Sequence, residues 1–358
     1  MTRFNRYLAW LGLGILTAAL IVACDRAPNL SEGDRVASGA AEPCRVIEHV
    51  MGKTEICGQP QKIAILSPRF LDLMLTLGVQ PAALTQTVGN SGFGIFDAPT
   101  DQIPYLGKRL TSTPIELGTR SEPSLERLKS LQPDLILGEQ WQTAGYDLMS
   151  QIAPTLLFDD VEEGNGFRYW QNDIAEIARA LGREEDVEKL RVKYAEQIAQ
   201  ARDTLKPVLE AYPRVFLVTS NVEMDRIKSG NQTSLARLLE EIGFEIVQPP
   251  GGENQTVPLS WEIIPSIKSD LMVVASWDGD LTLNPEDSLP QASMRKRWAQ
   301  NPLLKALPVS EQGRVVFVDY YISGGPMRGP LTDQILLESL PDLLLPTLAG
   351  ALEVQPGA

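Results

Sequence analysis

Residues 123–137, PSLERLKSLQPDLIL, and residues 259–273, LSWEIIPSIKSDLMV, are two copies of one pattern in this chain of 358 residues. In each copy a serine can cap a helix, a glutamate (Glu126 or Glu262) falls in its first turn, and an aspartate opens a run of β-forming residues. The second copy lies 136 positions after the first throughout. The repeat predicts two similar lobes, each with an acidic residue at the start of a helix.

Short runs of β-forming residues alternate with helical stretches around both copies. The runs are residues 62–66, 134–137, 214–218, 270–275 and 315–319. Apolar residues at helical spacing lie between them, for example at residues 70–77 and 125–131. Strands separated by helices predict mainly parallel sheets with helices on their faces, so the predicted fold class is α/β.

A long helical stretch separates the two halves of the chain. Apolar residues recur at helical spacing over residues 168–205, with an expected break at Gly182. Pro207 and Pro213 are expected to end the stretch before the next strand begins. The pattern favours a stiff connector between two lobes. Two ordinary surface helices within a single domain would have the same periodicity.

The N-terminal residues have the features of a secretion signal. Residues 1–24, MTRFNRYLAWLGLGILTAALIVAC, contain two arginines, an uncharged, mostly apolar run of 17 residues and then Cys24. Such a run is shorter than the roughly 20 residues of a spanning helix and suits a signal peptide. Residues 20–24 resemble a bacterial lipobox in which Cys24 receives the lipid, and Asp25 resembles the residue that retains lipoproteins in the inner membrane of Gram-negative bacteria. The alternative is an uncleaved anchor with a buried thiol.

The segment after Cys24 has no apolar period and is predicted to be a flexible tether over residues 24–43. Alternating residues at positions 45–56 then indicate a β-hairpin, with Cys44 and Cys57 at similar distances from its turn. A disulfide between these cysteines is expected outside the cytoplasm, and two unpaired thiols are the alternative. A surface or packing role is expected for His49, which falls inside the hairpin.

Charge and composition exclude several classes of protein. The 32 basic and 46 acidic side chains give a formal charge of −14, which argues against nucleic acid as a partner. One histidine and three cysteines are too few for the usual protein-built zinc sites. We therefore predict no metal site and no resident cofactor.

An enzyme is not expected from the motifs. The chain contains no HExxH, GxSxG or GxxxxGK[ST] motif. The glycine-rich residues 89–94, GNSGFG, lack the strand-to-helix context of a phosphate-binding loop and are predicted to form a mobile loop near a cleft. A Ser-His-Asp triad would have to use His49, next to the tether.

The chain resembles the periplasmic substrate-binding proteins of ABC importers for iron(III) chelates, haem and cobalamin, from about residue 44 to residue 345. The matching segments are HVMGKTEICGQPQKIAILSPRFLDLMLTLGVQP, YLGKRLTSTPIELGTRSEPSLERLKSLQPDLILG, YDLMSQIAPTLLF, LSWEIIPSIKSDLMVVASWDGD and NPLLKALPVSEQGRVVFVDYYISGGP. Their order and spacing carry the resemblance. It implies the class III periplasmic-binding-protein fold: two lobes with mainly parallel sheets, joined by a long rigid helix, with a shallow cleft and little hinge closure.

Glu126 and Glu262 match the pair of acids, one per lobe, with which this family docks onto arginines of the permease. Two like charges at equivalent places can steer the encounter with a partner and set its docking orientation. An exposed ion pair contributes only about 0–1 kcal/mol to the binding free energy. Glu122 is a second candidate in the first lobe. The alternative is that both acids are simply solvated residues at helix N-termini.

Ligands of open α/β sheets bind beyond the carboxyl ends of the strands. Arginines and aromatic residues follow the predicted strands. The candidate ligand-binding residues are Arg69, Arg120, Trp141, Trp277, Tyr320, Tyr321 and Arg328. Arginine offers forked donors to chelate oxygens, and tryptophan and tyrosine offer apolar walls with a polar tip. For each residue the alternative is packing or solvation.

These features predict a lipoprotein that captures an iron(III) chelate, a siderophore or ferric citrate, and delivers it to an ABC permease dimer in the cytoplasmic membrane. The protein is expected to be a monomer on the periplasmic face of that membrane, anchored through Cys24. Haem or cobalamin is the alternative cargo, and Tyr320 or Tyr321 could then ligate haem iron. A structural lipoprotein or partner sensor without a small ligand is the third possibility.

The predicted organisation follows the chain in six segments. They are a signal peptide (1–23), a lipidated tether (24–43), an N-terminal ligand-binding lobe (44–166), a connecting helical block (167–206), a C-terminal ligand-binding lobe (207–348) and a tail (349–358).

Overall fold

The structure is a computed structural model that describes residues 43–86, 105–159, 161–162, 166–167, 169–252, 255–277, 289–324 and 329–349. The described residues all belong to one unit, Pro43–Ala358. The predicted signal peptide, Cys24, nearly all of the tether, the glycine-rich loop, Arg328 and residues 350–358 lie outside the described residues. Within the described ranges, no helix combines the length and the apolar character needed to span a membrane.

The predicted hairpin opens the described chain. Strand β1 (Cys44–His49) pairs antiparallel with β2 (Gly52–Cys57), and a disulfide joins the two cysteines. The buried side chains of Ile47 and Ile56 belong to the core of the first lobe. The hairpin is therefore packed onto that lobe and is not part of the tether.

The first lobe, called the N-lobe, contains a five-stranded sheet in the order β5–β4–β3–β6–β7, and all its neighbouring strands are parallel. Its strands are β3 (Ile63–Ile65), β4 (Ala83–Gln86), β5 (Ile115–Thr119), β6 (Leu135–Glu139) and β7 (Thr155–Phe158). Its helices are α1 (Arg69–Thr76), α2 (Leu125–Leu131) and α3 (Tyr146–Ser150).

A helical connector follows the short antiparallel pair β8 (Val161–Glu162) and β9 (Gly166–Phe167). It consists of α4 (Trp170–Leu181) and α5 (Glu184–Ala211), with Gly182 between them in the left-handed region (φ 65°). The prediction that Pro207 ends the helix is wrong, because α5 continues through it. Pro207 is exposed, so the carbonyl freed by its missing N–H can reach water, and the buried Val208 packs the last turn against the core.

The second lobe, called the C-lobe, contains a six-stranded sheet in the order β13–β11–β10–β14–β15, with β12 also paired to β10. Its strands are β10 (Arg214–Asn221), β11 (Ile227–Ser229), β12 (Glu245–Ile246), β13 (Pro258–Leu259), β14 (Leu271–Trp277) and β15 (Val315–Asp319). Strands β12, β10, β14 and β15 are parallel, whereas β11 runs antiparallel to both of its neighbours, β10 and β13. Its helices are α6 (Ser234–Ile242), α7 (Leu289–Gln300), α8 (Pro302–Lys305), α9 (Pro308–Glu311), α10 (Tyr320–Ser323) and α11 (Pro330–Leu344).

The aspartate of each sequence copy has the same structural role in both lobes. The Asp134 carboxylate accepts hydrogen bonds from the backbone amides of Gln61 and Lys62, just before β3. The Asp270 carboxylate accepts one from the amide of Arg214, the first residue of β10. In each lobe the aspartate therefore ties the start of one strand to the start of its neighbour.

The helix predicted for the second copy does not form as an α-helix. In the first copy Ser124 accepts the Arg127 amide and caps α2. In the second copy a turn leads into a single 3-10 turn at Ile264–Ser266. Pro265 has no N–H to donate to a carbonyl one turn earlier, so the α-helical ladder cannot start there.

The joint between the lobes is built around the buried carboxylate of Asp72 on α1. Its oxygens accept hydrogen bonds from the backbone amides of Leu331 (3.0 Å) and Thr332 (2.8 Å) and from the Thr332 hydroxyl. These amides belong to the first turn of α11, so a side chain of the N-lobe caps a helix of the C-lobe. Burial raises the pKa of Asp72, and these hydrogen bonds oppose the rise.

Gly329 leaves the space that the Asp72 carboxylate occupies. A Cβ atom at Gly329 would lie 2.3 Å from Cγ and 2.4 Å from Oδ1 of Asp72. The backbone there is extended (φ −171°), a conformation open to any residue. The close approach of the carboxylate, and not the backbone conformation, therefore requires glycine.

Two more hydrogen bonds cross the joint. Nε1 of Trp170, at the start of α4, donates to Oδ2 of Asp333 on α11 (2.8 Å). The hydroxyl of Tyr105, from the N-lobe, donates to Oδ2 of Asp319 at the end of β15 (2.7 Å). Burial raises the pKa of Asp333 to about 8 and also raises the pKa of Asp319. Each of these carboxyl groups keeps a donor from the opposite side of the joint.

We expect Gly329→Ala to lower the free energy of unfolding by about 3 kcal/mol, because the added methyl group must displace the carboxylate that caps α11. Chemical denaturation measures this change. The matched control is Gly145→Ala, where the nearest atom to an added Cβ, Cε of Met149, is 3.8 Å away. The control should stay within about 0.5 kcal/mol of the wild type. Equal stability of the two variants would contradict the proposed tight fit at the joint.

Candidate functional site

Glu139 is the centre of a buried charged cluster at the carboxyl edge of the N-lobe sheet. It is the last residue of β6, and its side chain is 0% exposed. Oε1 of Glu139 lies 2.8 Å from Nε of Arg69, and Oε2 lies 2.5 Å from Nη2 of Arg120. Nη1 of Arg69 lies 2.9 Å from Oδ2 of Asp173 on α4. These four residues, called the edge cluster, contain two positive and two negative charges.

Arg69 is the enclosed arginine of the edge cluster. Its Nη2 donates to the carbonyl of Asp159 (2.8 Å), and its Cζ lies 4.8 Å from the centre of the Phe70 ring. Together with the Asp173 pair, these contacts tie the start of α1 to the end of the N-lobe sheet and to the connector. Arg69 follows β3, as the sequence predicts, but its side chain is buried, and its role in ligand binding stays a prediction.

Arg120 is the more accessible arginine. Its side chain is 30% exposed, and its Cζ lies 5.9 Å from the centre of a ring of Trp141, which is 60% exposed. Arg120 follows β5, and Trp141 lies in the 3-10 helix Gln140–Gly145 that follows β6. The two predicted residues are thus brought side by side at the edge where ligands of such sheets bind.

The neighbouring Gln142 fixes the backbone of both Arg120 and Glu139. Its Oε1 accepts a hydrogen bond from the amide of Glu139, and its Nε2 donates to the carbonyl of Arg120, both at 2.6 Å. The side chain of Gln142 is buried. Both ends of the Arg120–Glu139 ion pair are therefore attached to one amide group.

A forked donor beside an exposed indole can bind an oxygen-rich, partly apolar molecule. A guanidinium group donates parallel hydrogen bonds to a carboxylate or to neighbouring carbonyl oxygens. An indole adds an apolar wall and also stabilises a cation that lies near its face. The Arg120–Trp141 pair thus fits the exterior of a metal chelate with carboxylate or carbonyl groups.

The C-lobe contributes Asp319 and the two tyrosines that follow β15. Tyr321 is buried in the core shared with the N-lobe, where its ring stacks with Tyr105 at 6.3 Å. Tyr320 is half-buried and packs against the C-lobe core. Asp319 accepts both the Tyr105 hydroxyl and the Tyr321 amide. Ligand binding by Tyr320 and Tyr321 stays a prediction.

The remaining predicted residues are Trp277, Arg328, Glu126 and Glu262. Trp277 ends β14 and is paired in register with Asn221 at the end of β10. Arg328 lies outside the described residues. Glu126 and Glu262 are both exposed, in the first turn of α2 and in the corresponding turn of the C-lobe. The pKa of Glu262 is lowered because its own amide and the Ser260 hydroxyl donate to its carboxylate.

Sequence reasoning missed Glu139, Gln142 and Tyr105. Glu139 directly follows Gly138 at the end of a predicted strand, a position at which the arginines and aromatic residues were singled out instead. A glutamate next to a buried strand is a usable signal, because such a residue needs a positive partner when it is buried. Tyr105 had no local signal, since its partner lies 214 residues away.

The described residues contain one group of metal-ligating type, formed by Cys44, Glu55 and Cys57. Both sulfur atoms belong to the disulfide, so they are not thiolates and cannot ligate a metal ion as such. The arginine-rich edge of the N-lobe instead offers donors to the outside of a ligand.

Known proteins resemble this chain in sequence. The family model described as "Periplasmic binding protein" matches residues 63–321. The putative ABC transporter substrate-binding lipoprotein YhfQ of Bacillus subtilis (strain 168) is 24% identical over 323 residues, 85% of this chain and 89% of the relative. The Fe(3+)-citrate-binding protein YfmC of the same organism is 25% identical over 323 residues, 89% of this chain and 91% of the relative.

The fold is also found among solved structures. The crystal structure of Staphylococcus aureus SirA complexed with staphyloferrin B superposes with a TM-score of 0.64. At 24% identity it covers 86% of this chain and 99% of SirA. The described residues therefore have the two-lobed fold of the class III periplasmic binding proteins, as the sequence predicted.

We expect Arg69→Met to lower the free energy of unfolding by about 3–5 kcal/mol, because it removes the buried arginine that pairs with both Glu139 and Asp173. Urea denaturation measures the loss. The control is Arg127→Met, which removes an ion pair to Glu116 from an arginine that is 53% exposed, and it should cost at most about 1 kcal/mol. Similar values for both variants would contradict a structural role for the buried arginine.

Proposed function

Because the chain belongs to the periplasmic binding protein family, we propose that it captures an iron(III) chelate outside the cytoplasm and delivers it to the permease of an ABC importer. The cargo is a ferric siderophore or ferric citrate. The observation that carries the proposal is the Arg120–Trp141 pair at the carboxyl edge of the N-lobe sheet. It presents hydrogen-bond donors and an aromatic wall, which recognise the outer oxygens of a chelate whose iron is already coordinated.

The names of the relatives support this cargo. YfmC is named for ferric citrate, and the SirA structure contains staphyloferrin B. A cargo of haem or cobalamin has less support, since the relatives named here point to ferric chelates. Haem would also need an axial ligand, and of the two candidate tyrosines Tyr321 is buried against the N-lobe core.

A binding role, and not catalysis, fits the residues at this edge. The edge cluster holds its acids in ion pairs with arginines, so no carboxylate there is placed as a base beside a nucleophile. The family of substrate-binding proteins and the lack of catalytic motifs in the sequence support the same conclusion.

We place the protein at the periplasmic face of the cytoplasmic membrane, attached by a lipid on Cys24 after removal of residues 1–23. The LIVAC sequence and the name of the YhfQ lipoprotein support this location. Residues 24–43 then serve as the tether from the lipid to the hairpin. The disulfide between Cys44 and Cys57 fits an oxidising compartment.

We assign permease docking to Glu126 and Glu262. Both are exposed, both follow a serine in the repeated pattern, and each belongs to a different lobe. One acid per lobe suits a permease dimer that offers an arginine from each half. The partner is therefore a basic surface contacted at two points, where charge sets register more than affinity.

We expect purified protein to bind ferric citrate or a ferric hydroxamate, and not haem or cobalamin, when quenching of its tryptophan fluorescence is followed during titration. Arg120→Ala should weaken the anionic chelate by about tenfold, and a neutral chelate less, because one charged hydrogen-bonding group is lost. Arg191→Ala, on the exposed surface of α5, is the charge-matched control and should bind normally. Equal losses of affinity for both chelates would contradict the electrostatic explanation. Binding of haem alone would contradict the proposed cargo.

We expect the double variant Glu126→Lys, Glu262→Lys to keep its chelate affinity but to abolish uptake of radiolabelled iron in cells that depend on this protein. The reversed charges repel the basic docking surface of the permease. The control variant Glu184→Lys, Glu188→Lys makes the same change of charge on the exposed surface of α5 and should transport normally. Continued uptake by the docking variant would show that the assignment of these acids is wrong.

A further inference from the structure

The ion pair between Arg120 and Glu139 joins two strands that are not neighbours. Arg120 follows β5 and Glu139 ends β6, and in the sheet order β5–β4–β3–β6 two strands lie between them. The side chain of Gln142 nevertheless bonds both the carbonyl of Arg120 and the amide of Glu139, so the two backbone positions come close together beyond the ends of β4 and β3.

We propose that Glu139 is a positioning residue that sets the ligand specificity of the site: it holds the Arg120 guanidinium beside Trp141, in the orientation that receives the chelate. This inference rests on the proposed function. Glu139 does not touch the ligand, because its side chain is wholly buried. It acts through Arg120, whose side chain is partly exposed and reaches from that buried carboxylate to the exposed indole.

The buried half of the edge cluster keeps Glu139 in place. Arg69 binds the second carboxylate oxygen of Glu139 and is itself held by Asp173 and by the carbonyl of Asp159. The carboxylate therefore cannot turn toward solvent without taking one of two charge partners from a buried guanidinium, which is costly. A fixed carboxylate fixes the arginine paired with it, and a preorganised donor loses less entropy when the ligand arrives.

The backbone supports the same orientation. Gln142 bonds the amide of Glu139 and the carbonyl of Arg120 with one side chain. Gly138 makes room for it, since a Cβ there would lie 3.0 Å from Oε1 of Gln142 and 2.7 Å from Cδ2 of Leu157. Both ends of the ion pair are thus held at the main chain and at the side chain.

The direction in which one substitution changes the affinity distinguishes positioning by Glu139 from a purely electrostatic effect. Glu139→Gln removes one negative charge next to Arg120, so the site becomes more positive. If Glu139 acted only through its charge, an anionic chelate would bind the variant more tightly. If it positions Arg120, the same chelate binds more weakly, because glutamine offers one oxygen in place of two and cannot pair with both Arg69 and Arg120.

The experiment compares the affinity of wild type and Glu139→Gln for ferric citrate and for a neutral ferric hydroxamate, by tryptophan quenching and calorimetry well below the unfolding midpoint. We expect ferric citrate to bind the variant about tenfold or more weakly, with a smaller change for the neutral chelate. In an Arg120→Ala background the same substitution should add little, because the two residues act as one unit. Unchanged or tighter binding of ferric citrate by Glu139→Gln overturns the proposal, as do additive losses in the double variant.

The matched control is Leu239→Ala. It removes a wholly buried side chain from the core of the C-lobe and leaves the edge cluster unchanged. It should lower the midpoint of unfolding as Glu139→Gln does and leave affinity for ferric citrate within about twofold. An equal loss of affinity in both variants would assign the effect to general stability and would overturn the positioning role.

Arg120→Lys tests the proposal without altering a buried group, so it remains informative if Glu139→Gln does not fold. Lysine keeps the charge but has no forked geometry to hold both an acceptor and a ligand. We expect it to lose affinity for ferric citrate nearly as strongly as Arg120→Ala, and wild-type affinity would overturn the proposal. Failure of the wild type to bind any ferric chelate would be a different result, and it would reject the proposed function itself.

Discussion

The capping of α11 by Asp72 is the interaction on which the arrangement of the two lobes depends. A carboxylate from the N-lobe occupies the place where a helix usually has its own capping residue. Removing that carboxylate would leave buried amides without acceptors, and moving it away would leave a buried charge without donors. Both costs act against separation of the lobes. The joint is therefore specific in position as well as favourable in energy.

Much of the fold follows from local sequence rules. The alternation of β-rich and helical runs predicted an α/β chain, and the repeated aspartates predicted the start of equivalent strands in both lobes. The two errors concern proline. Pro265 prevented the second α-helix of the repeat, whereas Pro207 failed to stop α5, because its exposed position and the packing of Val208 outweigh one lost hydrogen bond. Tertiary packing, which the sequence does not display, decided between these outcomes.

The candidate site was predictable only in part, for a topological reason. Arg120 and Trp141 were found from their places after strands. They come together beside Glu139 because of the order of the strands in the sheet, and the sequence alone does not specify that order. The same holds for Tyr105, whose hydroxyl meets Asp319 across the joint. Positions at the end of an element are therefore readable from the sequence, while partners that cross the sheet or the joint are not.

The joint between the lobes also constrains the permease docking that we propose. Glu126 and Glu262 lie on different lobes, so the distance between them is set by the contacts of Asp72, Asp319 and Asp333. If the lobes keep their spacing when a chelate binds, the two acids would present the same pattern to the proposed permease partner in both states. Discrimination between loaded and empty protein must then come from the ligand or from side chains near it. The exposed Trp141 beside Arg120 is at the carboxyl edge where such a signal would arise, which connects the specificity of capture with the control of delivery.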